Sequence, residues 1–256
     1  MKTRRTLLAR AYILHTYPYR DTSRILEVFT REQGRISVFA RGVRGPKARM
    51  ASLLQPFQPL LMSFSSRGDA AQLIGAESGA VGEPGSLTGG LPPAALLPAF
   101  YLNELLLKLT TRHDPNAGLF DGYQQTLLAL MAGGAPEPVL RSFELRLLQE
   151  VGYGLDLTRT VAGGPVTAQG YYQFRAADGL FAIAEHPGAL RGGSLLSLVA
   201  GSLREERELA DARKVLSAAL EHCLEGRPIV TRAVARACVG TALVPGAAMD
   251  PRVQEH

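Results

Sequence analysis

The chain has 256 residues, 46% hydrophobic and 20% charged, enough for one large core or a few small ones. Its two cysteines, Cys223 and Cys238, form no CxxC pair, which excludes a disulfide framework and a four-cysteine zinc site. The formal charge of +5 is unevenly spread: residues 1–49 hold 12 Lys and Arg against 3 Asp and Glu, net +9, and the remainder holds 16 against 20, net −4. A basic first fifth on a mildly acidic body suggests one module that meets a polyanion and another that does not.

In chain order, the first 80 residues have the pattern of short strands. Leu7 to Thr16 alternates as a first strand, and Tyr17 to Thr22 is expected to turn, because Pro18 cannot sit in a central ladder. Ser23 to Thr30 is the second strand, and Gly34, free to take a positive φ, closes a tight connection to the third, Arg35 to Ala40. Pro59 to Ser65 and Ala70 to Glu77 complete five. Five short strands in about 75 residues fit a small closed barrel, since closure removes exposed edges. An OB-fold over residues 1–80 is the leading expectation, and an SH3-like barrel competes with it.

The third strand runs into Arg41-Gly42-Val43-Arg44-Gly45-Pro46-Lys47-Ala48-Arg49. Gly42, Gly45 and Pro46 break regular structure there, and no acid lies between Gly34 and Arg49. Arg35, Arg41, Arg44, Lys47 and Arg49 are therefore the predicted phosphate-contacting surface, supported by Lys2, Arg4 and Arg5. The plainer alternative is a solvated, Arg-rich loop. Of the barrel aromatics Tyr12, Tyr17, Tyr19, Phe29 and Phe39, Tyr17 and Tyr19 flank Pro18 and are the best placed to stack bases, at about 1–3 kcal/mol per base.

Ser78 to Gly90, rich in Gly, Ser and Pro, marks a boundary. Beyond it the period becomes helical: Pro93 to Arg112 spaces Leu102, Leu105, Leu106 and Leu109, Ala117 to Met131 spaces Phe120, Tyr123 and Leu127, and Glu137 to Tyr153 spaces Leu140, Phe143, Leu147, Leu148 and Val151. Residues 155–193 break that pattern and suggest an inserted β-hairpin, Gly170 to Phe174 against Leu180 to Ile183. Helices resume at Ser194 to Leu203, Glu206 to Glu225 and Ile229 to Cys238, before a flexible tail over 241–256. The helical domain is thus expected over 81–154 and 194–240. The longest uncharged span, Pro84 to Asn103, is interrupted by Gly89, Gly90, Pro92, Pro93 and Pro98, so no membrane helix is expected and the location should be cytoplasmic.

Catalysis finds little support. The five histidines are scattered, Gly152-Tyr153-Gly154 lacks the third glycine of a dinucleotide fingerprint, and no P-loop or compact acidic motif occurs.

Several runs taken together resemble the RecO family of DNA repair proteins. They include Tyr19-Arg20-Asp21-Thr22-Ser23, Phe29-Thr30-Arg31-Glu32-Gln33-Gly34-Arg35, Arg41-Gly42-Val43-Arg44, Tyr101-Leu102-Asn103-Glu104-Leu105 and Phe143-Glu144-Leu145-Arg146 through Tyr153. The resemblance is good over 1–155 and thin afterwards. It implies an α+β multidomain protein: an N-terminal OB-fold barrel, then a mostly helical domain with a small zinc-ribbon-like insertion. It also implies a recombination mediator, not an enzyme, that binds single- and double-stranded DNA and anneals complementary strands. Its implied partners are RecR and the C-terminal tail of single-strand-binding protein, with RecA loaded indirectly at the nucleoid. Arg141 and Arg146 are the basic candidates for that tail. Many relatives carry paired cysteines after the third helix. Thr160 and Gly163 stand where the first pair is expected, so no metal or other cofactor is expected here, and the insertion is cysteine-free. The alternative reading is a protein-interaction adaptor whose basic barrel only steers it to nucleic acid.

Overall fold

The computed structural model describes residues 4–43, 50–67, 70–79 and 90–235. Its first five strands are β1 (Arg4–Tyr19), β2 (Ser23–Thr30), β3 (Gly34–Ala40), β4 (Leu60–Arg67) and β5 (Ala70–Ser78). They close into a barrel in the order β1-β2-β3-β5-β4, with β3 and β5 parallel at Val38↔Ala71 and Phe39↔Gln72 and the other pairs antiparallel. This is the five-stranded OB arrangement, which settles the choice against the SH3-like competitor. Alternation turns Leu26, Val28, Ile36, Val38, Met62 and Phe64 inward, and Val43 and Leu54 belong to the same core.

β1 is longer than its pattern suggests. Tyr17, Pro18 and Tyr19, expected in a turn, are strand residues paired with Ile25, Arg24 and Ser23. The proline is tolerated because β4 pairs with β1 only over Arg4–Ala11, leaving the far half an edge with no second ladder to feed. A register shift between Ile13 and His15 re-aims the strand. Ile13 faces the barrel core, Tyr12 and Leu14 face the helices, and His15 and Tyr17 face solvent.

The helices are α1 (Pro93–Leu109), α2 (Ala117–Met131), α3 (Pro136–Glu150), α4 (Gly192–Val199) and α5 (Glu206–Cys223), with a further helical segment over 230–235. Their ends follow local chemistry. Prolines open α1 and α3, Asn116 accepts from the Leu119 amide to cap α2, and Glu205 with Glu208 forms a capping box on α5. Among the described residues no helix is long and apolar enough to cross a membrane.

The insertion contains the expected hairpin, β6 (Tyr171–Arg175) and β7 (Gly179–Ile183), plus a two-residue strand β8 (Leu190–Arg191) too short to show a period. The residues present do not fit zinc. The stretch 155–193 offers His186 alone as a nitrogen ligand, and its Nδ1 accepts from the Gly188 amide. Where a cysteine knuckle would stand, the Thr160 amide donates to the Gly164 carbonyl, and the Gly163 amide donates to the Thr160 carbonyl with φ +84° at Gly163. Hydrogen bonds thus close the turn that a metal would otherwise hold.

The barrel has a core of its own, but its outer face does not end at solvent. Tyr12, Leu14 and Phe29 belong to the helical core, with Tyr12 edge-on to Tyr123 at 5.1 Å and Phe29 tilted on Phe120 at 5.5 Å. Buried Asn103 of α1 donates to the Leu14 carbonyl (2.8 Å) and accepts from the Tyr123 hydroxyl (2.6 Å), so the amide and that hydroxyl are paired across the joint. The β2–β3 turn completes it. Arg31 grips Asp121 of α2 through two hydrogen bonds of 2.9 Å, and the His113 amide donates to the Arg35 carbonyl. Gly34 (φ +66°) packs so closely that a Cβ there would lie 2.0 Å from the Asp114 carbonyl oxygen. Gly34→Ala is therefore expected to lower the unfolding free energy by more than about 2 kcal/mol, from left-handed strain plus a backbone clash. Urea denaturation checks this; a loss below about 1 kcal/mol would mean that the turn can back away from the helices.

Candidate nucleic-acid interface

At the end of the barrel away from the β2–β3 turn, one outer row crosses the sheet. Tyr17 pairs with Ile25, Ile25 with Phe39 and Phe39 with Gln72, so their side chains share a face. Tyr19 stands edge-on to Phe39 at 5.2 Å. Tyr17 is 47% and Tyr19 39% exposed, unusual for large rings on a strand. Arginines lie over two of these rings: Arg20 sits 5.4 Å from the Tyr19 centroid, and Arg41 5.5 Å from that of Phe39. Flat faces for bases beside guanidinium groups for phosphates are what a single strand requires.

The sequence-predicted residues do not all gather here. Tyr17 and Arg41 do, and Arg41 is the first residue of the basic loop. Arg5 is exposed near the other end of β1. Lys2, Arg44, Lys47 and Arg49 lie outside the described residues, and of Arg4 only the strand backbone is described. Arg35 has a different set of partners. Its guanidinium donates to Glu27 (3.1 Å), to the Thr110 hydroxyl (3.2 Å) and to the Thr110 carbonyl (2.8 Å), with the side chain only 13% exposed. Glu27, itself buried, also accepts from Ser37 and Arg112, at 2.5 Å each. Tyr12 and Phe29, once candidates for stacking, are buried in the joint. Tyr19, expected beside Tyr17, is exposed with it, and Phe39 joins them through strand pairing that no linear pattern displays.

Arg141 and Arg146, five apart on α3, point to different places. Arg146 is exposed, and a Cβ on Gly122 of α2 would lie 2.6 Å from its Cδ. Arg141 is buried beside Glu144, Nη1 to Oε2 2.9 Å, yet its Nε and Nη1 are out of line for a hydrogen bond with any described acceptor. It lines a groove of about 190 Å³ with Leu97, Pro98 and Tyr101 of α1, Leu140 of α3, and Thr231 and Arg232. The 230–235 wall is anchored by Glu104, which accepts from the Val230 and Thr231 amides at 2.7 and 2.9 Å. Burial works against the Glu104 charge, but bonds from Thr231, Lys108 and Val230 outweigh it and hold its carboxyl below the usual range. Burial pushes the Glu144 carboxyl above that range, against the pull of Arg141, the Tyr101 hydroxyl (2.5 Å) and Arg232. Two cations thus border an apolar groove, and the buried acid beside Arg141 is reluctant to ionise. Arg232 lies beyond residue 155, where the family resemblance is thin and no local signal singles it out.

A closed OB-type barrel bearing exposed rings and arginines, docked on a helical domain, defines a barrel-and-helix protein with the features of a nucleic-acid binder. Comparison with known proteins agrees. Residues 1–78 match the family model described as the recombination protein O N terminal, and residues 93–233 match the recombination protein O C terminal. The chain is 40% identical over 232 residues to the DNA repair protein RecO of Azoarcus sp. strain BH72, covering 88% of this chain and 93% of that one. It is 40% identical over 232 residues to the RecO of Laribacter hongkongensis, covering 88% and 92%. With the RecO of Methylococcus capsulatus it shares 39% identity over 233 residues, 91% and 94% of the two chains. The chain belongs to the RecO family of DNA repair proteins.

Proposed function

We propose that this chain is a non-enzymatic recombination mediator that binds single- and double-stranded DNA at the ring-bearing end of its barrel and anneals complementary strands. Working with RecR at the nucleoid, it would help load RecA onto DNA covered by single-strand-binding protein. The observation that carries this reading is the group of exposed Tyr17 and Tyr19 with half-buried Phe39, flanked by Arg20 and Arg41. It adjoins a run, Arg41 to Arg49, that has four cations and no acid. Annealing needs no catalytic side chain: a surface that offsets phosphate repulsion between two strands lowers the barrier to their pairing.

With Arg41, Arg44, Lys47 and Arg49 each neutralising a phosphate, log K against log salt for single strands is expected to slope at about −3, from roughly 0.7 per contact. Replacing Arg41, Arg44 and Lys47 by Ala should flatten that slope by about 2 and weaken binding alike on all sequences, with annealing falling in parallel. Tyr17→Ala should weaken single-strand binding with little change in slope, because stacking releases no counterions. An unchanged slope and annealing rate in the triple variant would reduce the loop to a solvated surface.

The groove between α1, α3 and residues 230–235 is the proposed seat of the acidic, apolar tail of single-strand-binding protein, with Arg141 and Arg232 meeting its carboxylates and Leu97 and Leu140 its apolar side chains. A tail peptide is expected to lose at least tenfold in affinity, about 1.4 kcal/mol, on Arg232→Glu and to be indifferent to Arg146→Glu. Equal losses from the two variants would point to a diffuse field rather than this groove.

A further inference from the structure

The row of exposed rings does not stop at Tyr17. His15 stands edge-on to Tyr17 at 4.4 Å and lines a cleft of about 420 Å³ between the barrel end and α1. The cleft is completed by Pro18 and Arg24 of the β1–β2 hairpin, Gln55 and Pro56 of the segment before β4, and Phe100 of α1. Its size is within the roughly 300–1,000 Å³ of small-ligand sites.

Two of these residues are unexplained by folding. Phe100 is 45% exposed, touching Phe57 edge-on at 4.9 Å while lining the cleft. The other, Arg24, lies at the start of β2 on the side of Leu26 and Val28, which places it at the barrel rim, half-buried. No carboxylate among the described residues pairs with it. Partial desolvation of an unpaired cation is a cost that an anionic ligand would offset. An exposed ring, a half-buried cation and polar edges from His15 and Gln55 in one cleft fit a ligand that is both aromatic and anionic.

We propose that this cleft holds one unstacked nucleotide of the single strand gripped by the barrel rings, its base against Phe100 and its phosphate toward Arg24. The strand would thus pass from the barrel onto the helical domain with one base drawn out of line. This rests on the DNA-binding reading above and adds a discrimination to it, because a paired base in a duplex cannot enter the cleft.

The test uses the full chain, a short oligothymidylate, the matching duplex and a strand of abasic residues, followed by fluorescence anisotropy at one salt concentration. Phe100→Ala and Arg24→Gln are each expected to weaken single-strand binding by about fivefold or more while changing duplex binding by less than about twofold. On the abasic strand Phe100→Ala should cost nothing, since there is no base to stack. Single-strand affinity unchanged in both variants, or losses equal on single strand and duplex, would overturn the slot while leaving the barrel interface in place. A wild-type chain that binds no single strand would overturn the interface itself. Arg24→Gln keeps the outcome decisive should Phe100→Ala loosen its contact with Phe57.

Discussion

The structure depends on the close approach of the β2–β3 turn to the segment that follows α1. Only a residue without a Cβ can stand where Gly34 faces the Asp114 carbonyl, and only there can the Arg35 carbonyl accept from the His113 amide. That approach brings the outer face of β1 and β2 against α1 and α2, so Tyr12, Leu14 and Phe29 complete the helical core. Removal of the helices would return three large apolar side chains to water, each worth roughly 1.5–3 kcal/mol when buried. The barrel and the helices therefore share a joint, although each also has apolar packing of its own.

The joint divides the labour of the arginines. The net +9 of residues 1–49 suggests a continuous basic surface, but charge in a sequence does not say where it is neutralised. Arg31 is held by Asp121, and Arg35 by Glu27 and the end of α1. Arg41, proposed to meet a polyanion, stands instead at the other end of the barrel, over the Phe39 ring. Glu27 matters here because it gathers Arg35, Arg112 and Ser37 at one buried carboxylate. Loss of Glu27 would leave two guanidinium groups without their carboxylate, whereas loss of Arg35 would leave Glu27 to Arg112 and take the donor from the Thr110 carbonyl.

Much of the architecture was legible because its signals are periodic. Alternation located all five barrel strands, and the spacing of Leu102, Leu105 and Leu106, then Phe120, Tyr123 and Leu127, located α1 and α2 and their buried faces. The family-like runs were legible as recurrences but not as mechanisms. Tyr101-Leu102-Asn103-Glu104-Leu105 places a hydroxyl on Glu144, an amide on the barrel and a carboxylate under the 230–235 segment, between two core leucines. None of those partners is near in sequence. The same blindness put Tyr17 to Tyr19 in a turn, grouped Arg141 with Arg146, and set Arg35 beside Arg41. Strand pairing, side-chain direction on a helix and cross-domain ion pairs are decided by tertiary packing rather than by local pattern.

The proposed separation of docking arginines from DNA-facing ones is tested most directly by comparing Arg35→Ala with Arg41→Ala in the full chain, each for stability in urea and for the salt dependence of single-strand binding. Arg35→Ala should lower the unfolding free energy by about 3 kcal/mol and leave the slope of log K against log salt unchanged. Arg41→Ala should leave stability within about 0.5 kcal/mol and flatten the slope by about 0.7. A stable Arg35→Ala variant with a flattened slope would contradict the division and return Arg35 to the DNA surface.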